Sequence, residues 1–392
     1  MIARLLIAGV AALLVAVTVV RNAAVDALAD SRPALASSMW SGHPAAEIGA
    51  GMAEIARAAR SRAAVSSAIF RRIDAAARKA PLAAEPFLVA GVHAQTTGRE
   101  AAAERAFVAA EWRDPRSLPA HYFLAEHYFR AGNAEGGLKE ITSLARLSPE
   151  GIASSAPYIA DFARNPANWP RLRATFRANP EMEDAALAAL AHDASNTGVI
   201  FALSPPSRRN ASSPWLPALL NSLVAAGDFA KAKAVWTSVS GIDAKSQSLL
   251  FDPGFSNPKP PAPFNWILTS STVGLAERER GGRLHAIYYG QEDGVLAQQL
   301  LVLGPGRYRL TMRLAQVSGQ PAALSWGILC FGSQSTVASM PIDAVAARGW
   351  SFEVPRNCPA QWLQLSGASA DLPQQSDVTV SGLRLTADRA HD

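Results

Sequence analysis

The sequence predicts a multidomain α + β chain: an N-terminal transmembrane helix, an α-helical repeat solenoid, and a C-terminal antiparallel β-sandwich. Three observations lead there. An uncharged apolar run opens the chain, prolines and glycines then recur every 34 residues, and helical periodicity gives way to two-residue alternation after about residue 250. The 392 residues suffice for two or three domains at roughly 100–200 residues each. With 49% hydrophobic and 18% charged residues, most of the chain can form a core, which excludes wholesale disorder. The formal charge is +5, but 37 Lys+Arg against 32 Asp+Glu is too thin an excess for a nucleic-acid partner.

Residues 1–22 form the first element. Leu5 to Val20 read LLIAGVAALLVAVTVV, and extension back to Ile2 meets only Arg4, whose aliphatic stem lets the charge reach the bilayer surface. A membrane-spanning helix needs about 20 such residues, whereas a cleaved secretory signal has an apolar stretch of about 7–15 with a small-x-small site close behind. The best such site, Ala27-Leu28-Ala29, lies beyond Arg21. A single-pass anchor through residues 2–20 is therefore expected, with secretion after signal cleavage as the alternative. Arg4 and Arg21 flank the run on opposite sides and do not orient it. Lipid attachment is excluded there, because no cysteine follows the run.

Residues 23–80 read as a helical lead-in that ends in AIFRRIDAAARKAP, and residues 81–248 carry the repeats. Pro81, Pro115 and Pro149 are spaced by 34, as are Gly98 and Gly132. In the unit ending at Pro115, large and small residues alternate as Phe87, Gly91, Ala103, Phe107 and Ala110. The next unit places Leu124, Ala125, Tyr128, Gly137, Ile141 and Pro149 on the same template, and a later one places Leu216, Leu219, Leu220, Leu223, Gly227, Ala232 and Trp236. This pattern resembles the tetratricopeptide repeat. The resemblance implies antiparallel helix pairs whose small residues allow close approach, stacked into an array that docks a protein partner. The alternative is an array that only spaces the next domain from the membrane. Between Gly151 and Ser212 the register is lost, and Pro157, Pro166, Pro170, Pro180, Pro205 and Pro206 are expected to break the helices into degenerate units.

Residues 249–388 alternate. In GRYRLTMRL (Gly306 to Leu314), Tyr308, Leu310, Met312 and Leu314 face one way and Arg309, Thr311 and Arg313 the other, as in a half-buried strand. RLHAIYYG, VLAQQLLVL, LSWGILCF, WSFEVP, QWLQLSG and DVTVSGLRL follow suit, so eight to ten strands with no long helix among them predict an antiparallel sandwich. The succession of FDPGF, the Trp-bearing FNWIL, AQQLLVLGPGRYRLTMRL and a closing VTVSGLRL resembles the galactose-binding-like jelly rolls that include many carbohydrate-binding modules. These motifs mostly encode the fold, so no activity is carried over with them.

Cys330 shares the inward face of its strand with Leu324, Trp326 and Ile328, and Cys358 follows the strand WSFEVP. The pair is expected to form a disulfide in an oxidising compartment, and closing this loop would stabilise the domain by ~3.5 kcal/mol. Together with the anchor, this predicts a bacterial inner-membrane protein with most of its chain in the periplasm. Sugars are held by aromatic faces and amide side chains. In QWLQLSG, Trp362 and Gln364 alternate with Leu363 and Leu365, so they share the outward face. They are the glycan-binding candidates, with Gln298 and Tyr289 as weaker additions and polysaccharide as the second partner. Trp266 and Trp350 read as buried, and Arg307, Arg309 and Arg313 form an outward basic stripe.

Catalytic signatures are absent. There is no Gly-x-Ser-x-Gly turn, phosphate-binding loop or His-Glu-x-x-His helix, so no enzyme, cofactor or metal centre is expected. His93, His121, Glu126 and His127 come nearest to a metal cluster, but His121 and His127 are six residues apart and do not share a helix face. Asp252 and the Glu292-Asp293 pair could hold structural calcium, yet no full ligand set is legible. The expected function is a non-catalytic envelope adaptor in surface-polysaccharide assembly or export. A scaffold that binds no sugar is its rival, and an envelope carbohydrate-active enzyme comes last.

Overall fold

The computed structural model describes residues 2–243, 248–332, 335–371 and 375–388. They form two compact units, Met1–Phe162 and Ala163–Asp392.

The first unit is entirely helical. Helix α1 (Ile2–Ala29) is followed by α2 (Pro33–Met39) and α3 (Pro44–Arg60). From Ala8 to Ala23 every α1 side chain is exposed, while Val25 and Ala29 are buried, Val25 in a small core with Ala36 and Ala46. One unbroken helix thus has an unpartnered apolar half and a packed half. Gly49 of α3 lets the backbones meet, since a Cβ there would lie 2.1 Å from the Ala29 carbonyl oxygen. The Arg21 guanidinium donates to the Met39 carbonyl and lies 4.7 Å over the Trp40 ring, where the exposed half ends.

Next come α4 (Ser67–Ala77), α5 (Glu85–Thr96), α6 (Glu100–Arg113), α7 (Leu118–Arg130), α8 (Ala134–Leu147) and α9 (Pro149–Ala163). Ser66, Ser117 and Asn133 cap α4, α7 and α8 by accepting backbone N–H groups of the first turn, which removes donors that would otherwise be orphaned. The 34-residue spacing has a backbone cause: Gly98 and Gly132 turn α5 into α6 and α7 into α8 at φ +71° and +74°, a left-handed conformation that glycine adopts without a steric cost. Large side chains meet small ones between the helices. A Cβ at Gly91 would lie 2.4 Å from the Phe107 ring, and Phe107 stacks on Phe123 at 5.4 Å. Ala103, Phe107, Ala110, Leu124, Ala125 and Ile141 are buried, Phe87 and Tyr128 half-buried, and Pro115 is exposed in the turn after α6. The Pro149 side chain lies outside the described residues.

The second unit begins with α10 (Trp169–Ala178), α11 (Pro180–Leu190), α12 (Thr197–Leu203), α13 (Leu216–Ala225) and α14 (Phe229–Val239). Pro166, Pro205 and Pro206 lie between α-helices, as expected, while the other three prolines sit within them. Pro170 and Pro180 occupy first turns, where the missing N–H costs nothing, and Pro157 sits inside α9 without ending it. Leu216, Leu219, Leu220, Leu223, Ala232 and Trp236 are buried, and Gly227 turns α13 into α14 at φ +80°.

The sandwich has ten strands among the described residues: β1 (Ile267–Leu268), β2 (Gly274–Glu279), β3 (Arg283–Tyr288), β4 (Gly294–Leu301), β5 (Gly306–Gly319), β6 (Leu324–Cys330), β7 (Thr336–Pro341), β8 (Trp350–Val354), β9 (Gln361–Gly367) and β10 (Ser376–Ala387). A two-turn helix, α15 (Ile342–Arg348), separates β7 from β8. The sheets run β1-β4-β9-β6-β7 and β2-β3-β10-β5-β8, antiparallel throughout. Their inner faces share one core that holds Trp266, Tyr288, Leu310, Trp326, Trp350 and Leu363. Cys330 and Cys358 are joined by a disulfide at a Cα–Cα distance of 5.4 Å.

Helix α14 packs on this domain through aromatics. The Trp236 ring meets Phe251 at 4.8 Å and Phe264 at 5.7 Å, and its indole N–H donates to the Pro261 carbonyl at 2.8 Å. Lys233 Nζ lies 4.6 Å from the centre of the Trp236 ring, where burial pulls its pKa down to about 8.

Candidate functional site

Three surfaces carry chemistry. The first is a groove of about 470 Å³ on α4, α5 and α6, lined by Phe70, Phe87, Val89, Ala90, His93 and Ala102 with Arg78 and Arg99 beside them. Its apolar walls follow from the repeat pattern, in which small residues withdraw the surface between flanking aromatics. His93 stacks against Phe70 at 4.4 Å, and the Arg113 guanidinium lies 3.6 Å over Phe87 while donating to the Pro81 carbonyl. Outside the groove, Leu82 and Trp112 leave about three-quarters of their area exposed (75% and 73%).

The second is the outer face of the β1-β4-β9-β6-β7 sheet. Leu363 and Leu365 are buried in the core, so alternation turns Trp362 and Gln364 outward, both half-buried. Gln298 lies directly opposite Gln364, and the Gln364 amide donates to the Gln298 carbonyl oxygen at 2.8 Å. Continuing that row across the sheet gives Gly327 and Ser339, with the Leu329 side chain covering the glycine, since a Cβ there would lie 3.2 Å from Leu329 Cδ1. Trp362 sits one step along β9 but is engaged: it meets Phe331 at 6.2 Å, which meets Phe229 of α14 at 5.2 Å. Tyr289 stands apart, just after β3 of the other sheet, with its backbone N–H donating to Val273. The structure therefore brings Trp362, Gln364 and Gln298 together and leaves Tyr289 elsewhere. On the opposite sheet, Arg307, Arg309 and Arg313 are exposed, and Arg309 donates to the Arg348 carbonyl and to Ser351.

The third is a cleft of about 700 Å³ lined by Arg173, Arg177, Arg208, Arg209, Glu183 and Ser204. Arg173 and Arg209 donate to carbonyls of Ala202 and Ser204, and Arg208 reaches Asp184 at 2.9 Å, so most of these guanidinium groups hold the fold.

The histidines disperse. His93 lines the groove, Glu126 pairs with Arg130, and His127 is buried with Nδ1 3.2 Å from Glu100. His121 is buried against partners that the sequence did not point to, Glu140 of α8 at 2.7 Å and Glu111 of α6 at 3.9 Å. The Glu140 hydrogen bond, set against burial, holds its pKa above the ordinary histidine value. No helical motif signals Glu111 or Glu140, because they reach His121 only through the packing of three helices. The acidic residues proposed for calcium are satisfied otherwise: Asp252 accepts the N–H groups of Ser256 and Asn257, and Asp293 accepts the N–H and hydroxyl of Ser369.

No protein-family model matches the chain, and no curated protein matches it in sequence.

Proposed function

We propose that the chain is a non-catalytic, membrane-anchored adaptor of the bacterial cell envelope. In this reading α1 stays in the inner membrane, the rest lies in the periplasm, and the work is in envelope or exopolysaccharide assembly or export. The observation that carries it is the continuity of α1. Cleavage after Ala29 would remove Val25 from its core with Ala36 and Ala46, and Ala29 from its contact with Gly49, so the packed half of the helix argues for retention of the exposed apolar half. From Ile2 to Ala23 the helix backbone runs about 33 Å at ~1.5 Å per residue, enough for a bilayer core of about 30 Å. The Cys330–Cys358 disulfide supports export to an oxidising compartment.

The helix pairs read as tetratricopeptide-like, on the strength of the Gly91–Phe107 approach and the equivalent turns at Gly98, Gly132 and Gly227. Their groove suits a short apolar segment of a partner protein, because its floor is mostly apolar, Arg78 is already paired with Asp74 at 2.6 Å and Arg99 borders one side. A photo-reactive side chain at position 90 of the full chain, in its native membrane, should give a discrete protein adduct that Ala102→Glu abolishes. Absence of any adduct would refute docking there.

A second reading is favoured by one observation. The Gln298–Gln364 amide row beside half-buried Trp362 offers hydrogen bonds and an apolar surface to a glycan on the jelly-roll-like domain. Affinity electrophoresis in polysaccharide gels should then show retardation that Gln364→Ala weakens. Equal mobility with and without every polysaccharide tried would leave the scaffold reading, in which Trp362 only joins Phe331 in packing.

A further inference from the structure

The geometry points to a divalent-metal site of Zn²⁺ type at Glu111, His121 and Glu140, and we propose that the first helical unit binds one such ion there. The proposal is independent of the adaptor function. His121 and Glu140 have side-chain exposures of 4% and 2%, and Glu111 is one-quarter exposed at 25%. All three ligand atoms lie within 4.8 Å of one another.

The imidazole is oriented for this role. His121 Nε2 lies 3.0 Å from the Pro115 carbonyl oxygen, which can only accept, so Nε2 carries a hydrogen. That leaves Nδ1 directed at two carboxylates, 2.7 Å from Glu140 Oε2 and 3.9 Å from Glu111 Oε1. A proton on Nδ1 satisfies the Glu140 carboxylate, and a divalent cation can take that proton's place between the ring and both carboxylates; a carbonyl on the far nitrogen is the arrangement that fixes the tautomer of a metal-binding histidine. Tetrahedral Zn²⁺ with ligands at roughly 2.0–2.2 Å sets neighbouring ligand atoms about 3.4 Å apart. The 2.7 Å contact must open by about 0.7 Å, the 3.9 Å contact close by about 0.5 Å, and the two carboxylates, within 4.8 Å of each other, close by up to about 1.4 Å, which side-chain torsions of the part-exposed Glu111 can supply. The exposed side of Glu111 gives the ion a path in and leaves a position for water as fourth ligand. One imidazole with two carboxylates suits Zn²⁺ better than Mg²⁺ or Ca²⁺, which take all-oxygen sets.

The surroundings are electronegative. Tyr128, on the same helix as His121, has its pKa raised by burial and then by Glu104, Glu140 and Glu111. The nearest cation is Lys139, whose Nζ lies 3.8 Å from the other oxygen of Glu140 and is itself largely exposed. A metal ion would neutralise what Lys139 leaves.

The test uses the full chain in detergent, stripped with chelator and titrated with Zn²⁺ by calorimetry, with Co²⁺ as a spectroscopic substitute. The expected result is one ion per chain and visible absorption of four-coordinate Co²⁺. His121→Asn and Glu140→Gln should weaken binding by more than about 100-fold, since even outer-shell changes cost 10–100-fold. Glu111→Gln, at the more exposed ligand, leaves the helices intact by circular dichroism and should still weaken Zn²⁺. Failure of the wild-type chain to retain Zn²⁺ or Co²⁺ would overturn the site and leave a proton between His121 and Glu140. Binding that survives Glu111→Gln and His121→Asn but falls with His127→Asn would overturn it equally, by placing the ion elsewhere.

Discussion

Gly91→Ala offers a test of the helix packing whose sign depends on the neighbour. The new Cβ would lie 2.4, 2.5 and 3.0 Å from three carbons of the Phe107 ring. That ring cannot easily withdraw: it is fully buried and stacked on Phe123 with 9° between the planes. Overpacking of this kind costs about 1–3 kcal/mol, while replacing a helical glycine by alanine returns about 0.8–1 kcal/mol, so a net loss of about 1 kcal/mol is expected. Phe107→Ala alone should cost about 3–5 kcal/mol through the cavity it leaves. In that background the obstruction is gone, and Gly91→Ala should become stabilising by about 1 kcal/mol, a coupling of about 2 kcal/mol. Hydrogen exchange of α5 and α6 amides in the full chain reads this locally: the single variant should speed the slowest amides about fivefold and the same change in the Phe107→Ala background should slow them. Equal effects in the two backgrounds would refute the proposed contact.

Two further outcomes follow from the sandwich. Replacing Cys330 and Cys358 together by serine should destabilise that domain by about 3.5 kcal/mol in the chain-entropy account, visible as a lower denaturant midpoint; an unchanged midpoint would mean the loop is held by its strands alone. His285 lies 2.9 Å from Asp377 and 3.3 Å from Glu277. Burial would lower its pKa, but the two carboxylates outweigh it and raise the value. The stabilisation is therefore complete below the unfolded-state value and is lost as pH rises through the folded one. It should amount to less than about 1 kcal/mol in this partly solvated setting, and His285→Gln should flatten that part of the pH–stability curve.

Much of the architecture was legible because it rests on local periodicity. Gly98 and Gly132 betray their turns by recurring, and Cys330 betrays its inward face by alternating with Trp326 and Ile328. Strand β2 was hidden, because Glu277, Arg278 and Glu279 interrupt the apolar alternation; Glu279 and Arg283 pair across the hairpin instead, at 3.1 Å. Edge strand β7 buries no residue outright, and α15, although Ile342 and Val345 are in the core, is too short to show a period. Pro170 and Pro180 misled for a positional reason, since a first-turn proline and a helix-ending one look alike until the helix boundary is known. Of the sandwich site, Trp362 and Gln364 share a face by alternation alone, but their meeting with Gln298 depends on a β4–β9 register across 66 residues of chain. Glu111 and Glu140 were invisible for the same reason: only helix packing places them on His121.

The intact mass of the chain extracted from membranes tests the central claim most directly. Retention of α1 predicts a polypeptide that still contains the apolar run and resists alkaline extraction. A chain starting at Asp30 and recovered in the soluble fraction would contradict it, and would leave Ala36 and Ala46 without the helix that covers them.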